Sequence, residues 1–180
     1  MKIAFFEVSE REQNFFRNFF NGADFLFFEK KLDKDNLGKI QDVEIISIFI
    51  NSMIDKDVID KLPKLKFIAT RSTGFDHIDC EYALSRGIKI SNVPTYGSHT
   101  VAEFTFALLL SLSRKVYDAL FQLKEKGDFA NLDFQGFDLY GKTIGVVGTG
   151  KIGKSVIKIA KGFGMNIVAC DLYPDASFAL

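Results

Sequence analysis

Six consecutive residues, Gly148-Thr149-Gly150-Lys151-Ile152-Gly153, have the types and spacing to hold a phosphate. An apolar run, Thr143–Val147, leads directly into Gly148, which permits a tight turn. Gly150 has no side chain, so a pyrophosphate can approach the backbone there, and Gly153 lets a following helix lie close to the strand. The start of that helix would present free N–H groups and a partial positive charge to the phosphates. The pattern alone is weak evidence, because glycines are common, and its strand and helix context gives it weight. Asp171 adds a second condition. It stands eighteen residues after Gly153, at the end of the next apolar run, Asn166–Cys170, where a carboxylate accepts hydrogen bonds from ribose hydroxyls. Its charge repels a 2′-phosphate, and no Arg follows it in Leu172–Leu180, so NAD is favoured over NADP.

A second chemical segment is Ser72-Thr73-Gly74, which follows the apolar run Lys66–Thr70 and opens towards a helix. Backbone N–H groups in such a turn can face a small anion. The chain has two histidines, His77 beside this turn and His99 ahead of a long helical stretch. Both are read as surface or capping residues rather than as acid–base catalysts. Cys80 and Cys170 allow one disulfide at most, and free thiols in a reducing cytosol fit their unlike contexts better.

The elements that must position these residues follow from periodicity. The runs Lys2–Val8, Asp24–Phe28, Val43–Ile50, Lys66–Thr70 and Ile88–Ser91 read as strands alternating with helical segments, the signature of an open parallel α/β sheet. Ser9 and Glu12 have capping-box spacing ahead of a helix whose Phe15, Phe16, Phe19 and Phe20 mark one face. Short helices are expected at Asp57–Leu62 and Asp79–Ser85. Thr100 and Glu103 repeat the capping-box spacing and predict a long helix from Val101 to Lys124. The polar stretch from Lys124 to Lys142 reads as an extended, unpacked arm. A second α/β start follows, with strand Thr143–Val147, the glycine turn, a helix to Phe163 and strand Asn166–Cys170. The inner face of that helix is expected to be Ile152, Val156, Ile159, Ala160 and Phe163, with Lys154, Lys158 and Lys161 outward.

Composition excludes several classes. The 23 basic and 23 acidic residues cancel, leaving no global field to recruit nucleic acid or an anionic membrane. The most apolar stretch, Phe104–Leu112, is too short to span a bilayer, and the first ten residues turn polar too early for a secretory signal, so a cytoplasmic protein is expected. The 20 Phe residues are expected to fill a core rather than form an aromatic binding face.

Three runs, Arg71–Asp79 (RSTGFDHID), Asn92–Lys115 and Gly141–Gly153 (GKTIGVVGTGKIG), together resemble the D-2-hydroxyacid dehydrogenases, and most of all their D-lactate and D-2-hydroxyisocaproate branch. The resemblance implies a flavodoxin-like substrate domain over 1–98. It is followed by a long helix, an arm and the start of a Rossmann NAD-binding domain over 99–180. It assigns the substrate carboxylate to Thr73 and Gly74, a substrate contact to Tyr96, and a place near the nicotinamide to Val101. For Tyr96, simple packing in the hinge remains open, and for Glu103 capping is a sufficient role. The implied reaction passes a hydride between NADH and a small 2-keto acid, with homodimers formed through the segment after Val101.

The family's Arg, Glu and His for this reaction lie in motifs beyond Asp171, so no catalytic residue is expected among these 180. The chain by itself is expected to be an incomplete cofactor domain without turnover. A non-enzymatic NAD-binding regulator or remnant of the same family is the alternative, and glycerate or phosphoglycerate remain alternative substrates.

Overall fold

A computed structural model describes residues 1–19, 22–127 and 134–179. It divides into two compact units, Met1–Pro94 and Thr95–Leu180.

The first unit alternates β1 (Lys2–Phe6), α1 (Glu10–Phe19), β2 (Asp24–Phe28), α2 (Lys34–Leu37), β3 (Ile45–Ile48), α3 (Lys56–Asp60), β4 (Phe67–Thr70), α4 (Cys80–Ser85) and β5 (Lys89–Ser91). The strands form one parallel sheet in the order β2-β1-β3-β4-β5, the flavodoxin-like arrangement. Successive side chains of a strand point to opposite faces, so β1 serves two cores. Ala4 and Phe6 join a large cluster with Ile46, Ile48, Ile59, Ile68 and Ala83. Ile3 and Phe5 join a smaller one with Val8, Phe16, Phe25 and Phe27. The phenylalanines fill much of this second layer: Phe5 stacks on Phe16 with ring centroids 4.3 Å apart and on Phe27 at 5.3 Å.

The capping box at α1 forms, with Ser9 N donating to Glu12 Oε2 at 2.7 Å and Glu12 N to Ser9 Oγ at 3.4 Å. The expected aromatic face of α1 does not. Only Phe16 packs down, whereas Phe15 and Phe19 are 61% and 69% exposed, and Phe20 lies outside the described residues. Adjacent helix positions differ by about 100°, so Phe15 and Phe16 cannot both face the sheet. Phe16→Ala is therefore expected to cost about 2 kcal/mol, and Phe15→Ala less than about 0.5 kcal/mol. Urea denaturation of the two variants checks this, and equal losses would contradict the assigned face.

The second unit runs α5 (Ser98–Ser113), α6 (Val116–Lys126), β6 (Thr143–Val147), α7 (Lys151–Gly162), β7 (Asn166–Cys170) and α8 (Ala176–Ala179), with β6 and β7 paired in parallel. The predicted single long helix is two helices. The break sits at Lys115, whose φ of +56° is left-handed. The cause is tertiary: Phe137 N donates to Ser113 O at 3.0 Å, taking a carbonyl that a continuous helix would have used internally. Gly136 fits against that carbonyl, where a Cβ would come within 2.1 Å of Ser113 O.

The expected loose arm is corrected with it. Residues 128–133 lie outside the described residues, but Leu139 is 5% exposed and joins the core with Phe106, Val146 and Val156, and Arg114 pairs with Asp138 at 2.8 Å. The capping box expected from Thr100 and Glu103 also fails. The helix starts three residues earlier than predicted, at Ser98, with Gly97 as its N-cap and no side-chain cap. Among the described residues no helix is long and apolar enough to cross a membrane.

Candidate functional site

The nucleotide turn is built by β6, α7 and β7. Gly148 takes φ +92°, which favours glycine, and its N–H donates to Cys170 O at 2.8 Å, tying the turn to the end of β7. Gly150 is the N-cap of α7, with no side-chain cap on the helix, and a Cβ built on it meets nothing within 4 Å. Open space at this position beside an uncapped helix start is what a phosphate needs. At Gly153 a Cβ would come within 2.0 Å of Gly148 O, so the helix lies against the turn as closely as backbone allows. These three features fit a dinucleotide pyrophosphate.

Asp171 faces the same turn. Its carboxylate accepts from Thr149 N, from Thr149 Oγ1 at 3.0 Å and from Tyr173 N at 2.8 Å. The N–H of Tyr173 and the groups of Thr149 hold the Asp171 carboxyl below the usual carboxylate range. Asp171, Thr149 and the three glycines are thus brought together, with Lys151 and Ile152 in the first turn of α7.

Helix α7 buries Ser155, Val156, Ile157 and Ala160, a face rotated from the predicted one. Ile152 is 44% exposed and Phe163 is only partly covered, while Lys154, expected outward, pairs with Asp175 and lies over the Phe178 ring at 5.1 Å. The cause is α8, which the sequence reading missed: it lends Phe178 to this core, where Phe178 and Ile157 line one pocket. The hydrogen bond from Lys154 holds the Asp175 carboxyl down at about 2.

In the first unit, Thr73 and Gly74 sit on an exposed turn directly after β4. Ser72 O accepts from Val93 N at 3.0 Å, Thr73 O from Asn92 Nδ2 at 2.8 Å and Gly74 O from Ser72 Oγ at 2.7 Å. Arg71, just before the turn, reaches across the sheet to Phe6 O at 2.6 Å, Glu7 O at 3.0 Å and Ser47 Oγ at 2.9 Å.

Neither Arg71 nor Glu7 was singled out by spacing. Glu7 stands at the reversal of strand order with φ +55°, and its carboxylate accepts from Ser52 Oγ at 2.6 Å and Asn51 Nδ2 at 2.8 Å. Burial pushes the Glu7 carboxyl up, but these hydrogen bonds outweigh it and leave it below its ordinary value. A groove of about 920 Å³ opens beside it, with Ser9, Lys30 and Phe49 among its lining residues.

His77 corrects the surface reading: it is half-buried, and its Nε2 lies 3.1 Å from Thr70 Oγ1. His99 is exposed within the first turn of α5 rather than ahead of it. Tyr96, 60% exposed, and Val101, 46% exposed, belong to the second unit, on the approach to α5 and in its first turn. Among the described residues no group of three or more His, Cys, Asp or Glu could hold a metal.

Residues 3–169 match the family described as D-isomer specific 2-hydroxyacid dehydrogenase, catalytic domain. The chain belongs to this family. D-lactate dehydrogenase of Escherichia coli is 34% identical over 181 residues, covering 98% of this chain and 55% of that protein. D-3-phosphoglycerate dehydrogenase of Methanocaldococcus jannaschii is 42% identical over 137 residues, covering 76% of this chain and 26% of that protein. Among solved structures, D-lactate dehydrogenase from Aquifex aeolicus, complexed with NAD and lactic acid, superposes with a TM-score of 0.89 at 28% identity. It is covered over 53% of its length by 98% of this chain. The chain thus spans about half the length of the D-lactate dehydrogenases it matches. The family match runs through both units, from the five-stranded parallel sheet to the paired strands β6 and β7.

Proposed function

We propose that this chain supplies the carboxylate-recognition turn and the first nucleotide-binding half of an NAD-dependent dehydrogenase acting on a small 2-keto acid of the pyruvate type. The observation that carries the reading is the turn at Gly148–Gly153, open at Gly150 and closed at Gly153, with Asp171 on the same turn. The N–H groups at the start of α7 would hold the pyrophosphate, Asp171 the ribose and Val101 the nicotinamide side. Bound there, the cofactor supplies or accepts the hydride. Thr73 and Gly74 would grip the substrate carboxylate through backbone N–H groups, and Tyr96 would touch the substrate. No residue of this chain is assigned the proton transfer or the carbonyl polarisation. The family resemblance gives those tasks to an Arg, a Glu and a His in motifs beyond Asp171.

A homodimer is part of the proposal. Phe104, Leu108 and Leu112 recur at helical spacing along α5 and all are exposed, as are Val116, Tyr117, Leu120 and Phe121 on α6. A contiguous apolar face of this kind marks an interaction surface, and a second copy of the same helices is the occupant that the family resemblance supports. A cytoplasmic setting fits the two free cysteines.

The test is a fluorescence titration of the chain with NADH and NADPH. Binding of NADH at least about 10-fold tighter than NADPH is expected, because the Asp171 charge opposes a 2′-phosphate. The same protein mixed with pyruvate and NADH should show no turnover. Equal affinity for the two nucleotides would overturn the NAD assignment, and robust turnover would overturn the assignment of the proton-transfer residues.

A further inference from the structure

We infer that His77 is a positioning residue: it anchors a one-way chain of hydrogen bonds through Thr70 and Ser72 that orients the Gly74–Phe75 peptide and adds Phe75 N–H to the anion-binding turn. The inference rests on the reading of Thr73 and Gly74 as a carboxylate grip and extends it by one donor and the device that aims it.

The direction of the chain follows from counting protons. Thr70 and Ser72 are each 2% exposed, so their hydroxyls are shut off from water. Ser72 Oγ donates its single proton to Gly74 O at 2.7 Å. Its contact with Thr70 Oγ1 at 2.5 Å must then be one in which Thr70 donates. With its own proton spent, Thr70 Oγ1 can only accept from His77 Nε2 at 3.1 Å. The chain is closed only when His77 carries a proton on Nε2.

Its effect on the turn follows from peptide geometry. In a trans peptide the C=O and the next N–H point in opposite directions. Val93 N and Asn92 Nδ2 hold the carbonyls of Ser72 and Thr73, and the relay holds that of Gly74. The N–H groups of Thr73, Gly74 and Phe75 are thereby turned the other way, and among the described residues none of the three donates to a protein acceptor. Three adjacent, unspent amides make a better anion site than two. The carboxylate of Asp76 lies on the same turn, with Oδ2 3.7 Å from where a Gly74 Cβ would be, so an arriving anion needs every donor the turn can aim.

The experiment uses the whole chain labelled with ¹⁵N and the variants His77→Gln and His77→Phe, with His99→Asn to assign the imidazole signals. Long-range ¹H–¹⁵N spectra are expected to give His77 as the Nε2–H tautomer, and an Nδ1–H or freely exchanging ring would overturn the relay. Pyruvate is then titrated while the amides of Thr73, Gly74 and Phe75 are followed. His77→Phe should weaken the response by about 3–10-fold, the value of one hydrogen bond, with Phe75 losing most. Gln can still donate from Nε2 and should restore it, a rescue that mere space-filling would not give. Equal behaviour of the two variants would overturn the positioning role. An Nε2–H ring in a chain whose turn ignores pyruvate would keep the relay and overturn the carboxylate reading, so the two failures are distinguishable.

Discussion

Gly153→Ala is expected to unfold the nucleotide turn, destabilising the second unit by about 3 kcal/mol or more. The added Cβ would meet Gly148 O at 2.0 Å and Gly148 C at 3.1 Å, with Val146 Cγ1 at 3.5 Å. Backbone cannot rotate away as a side chain can. Gly148 is held by its own N–H bond to Cys170 O at 2.8 Å and by a φ of +92°. Moving the turn therefore breaks its tie to β7, and moving α7 instead withdraws Val156, Ile157 and Ala160 from a small core.

Gly150→Ala is the control that separates folding from function. Its Cβ meets nothing within 4 Å and its φ of −66° suits any residue, so stability should change by less than about 0.5 kcal/mol. The methyl would instead occupy the space a pyrophosphate needs, and NADH binding should be lost while the fold stays. Chemical denaturation followed by NADH titration of both variants checks the pair. Wild-type stability in the Gly153 variant would mean that the helix does not lie where these contacts put it.

How much of this was legible beforehand depends on whether the signal was local. β6 and β7 have the predicted limits, because each is a short apolar run bounded by glycine or polar residues. The five-stranded sheet followed from alternation and from β3, which sends Ile45 to one helical layer and Ile46 and Ile48 to the other. The Ser9–Glu12 box formed because all its partners lie within four residues.

The same spacing at Thr100 and Glu103 misled, since Ser98 and His99 are already helical and leave no terminus there to cap. The break at Lys115 could not be read locally: it depends on Phe137 N arriving from residues far along the chain. Likewise α8 turned Lys154 inward and shifted the buried face of α7. Among site residues, the glycine turn and Asp171 were visible as a pattern. Glu7 and Arg71 were not, because strand order, not sequence, makes the ends of β1, β3 and β4 neighbours.

Asp171→Ala should weaken NADH binding on the order of 100-fold, the loss of two hydrogen bonds to a charged acceptor. The carboxylate has two tasks. Oδ2 draws Thr149 onto the end of β7 through both its N–H and its hydroxyl, and Oδ1 accepts from Tyr173 N at 2.8 Å. A carboxylate offers about four acceptor positions, so one remains, and ribose hydroxyls gain a second only if Thr149 Oγ1 turns away. Thr149→Ala should therefore leave NADH affinity unchanged or improve it, while Asp171→Ala lowers it. The Asp171 variant should also lose preference between NADH and NADPH, because the charge opposing a 2′-phosphate is gone.

The pH dependence has a definite sign. Hydrogen bonds lower the pKa of Asp171 in the folded chain, so its contribution to stability is complete above the ordinary carboxylate value. It is lost only as pH falls through the lower, folded value. NADH affinity should then be flat from about pH 8 down to about pH 5 as far as this group is concerned. A midpoint near neutrality, surviving in the Asp171 variant, would assign ribose recognition to another residue.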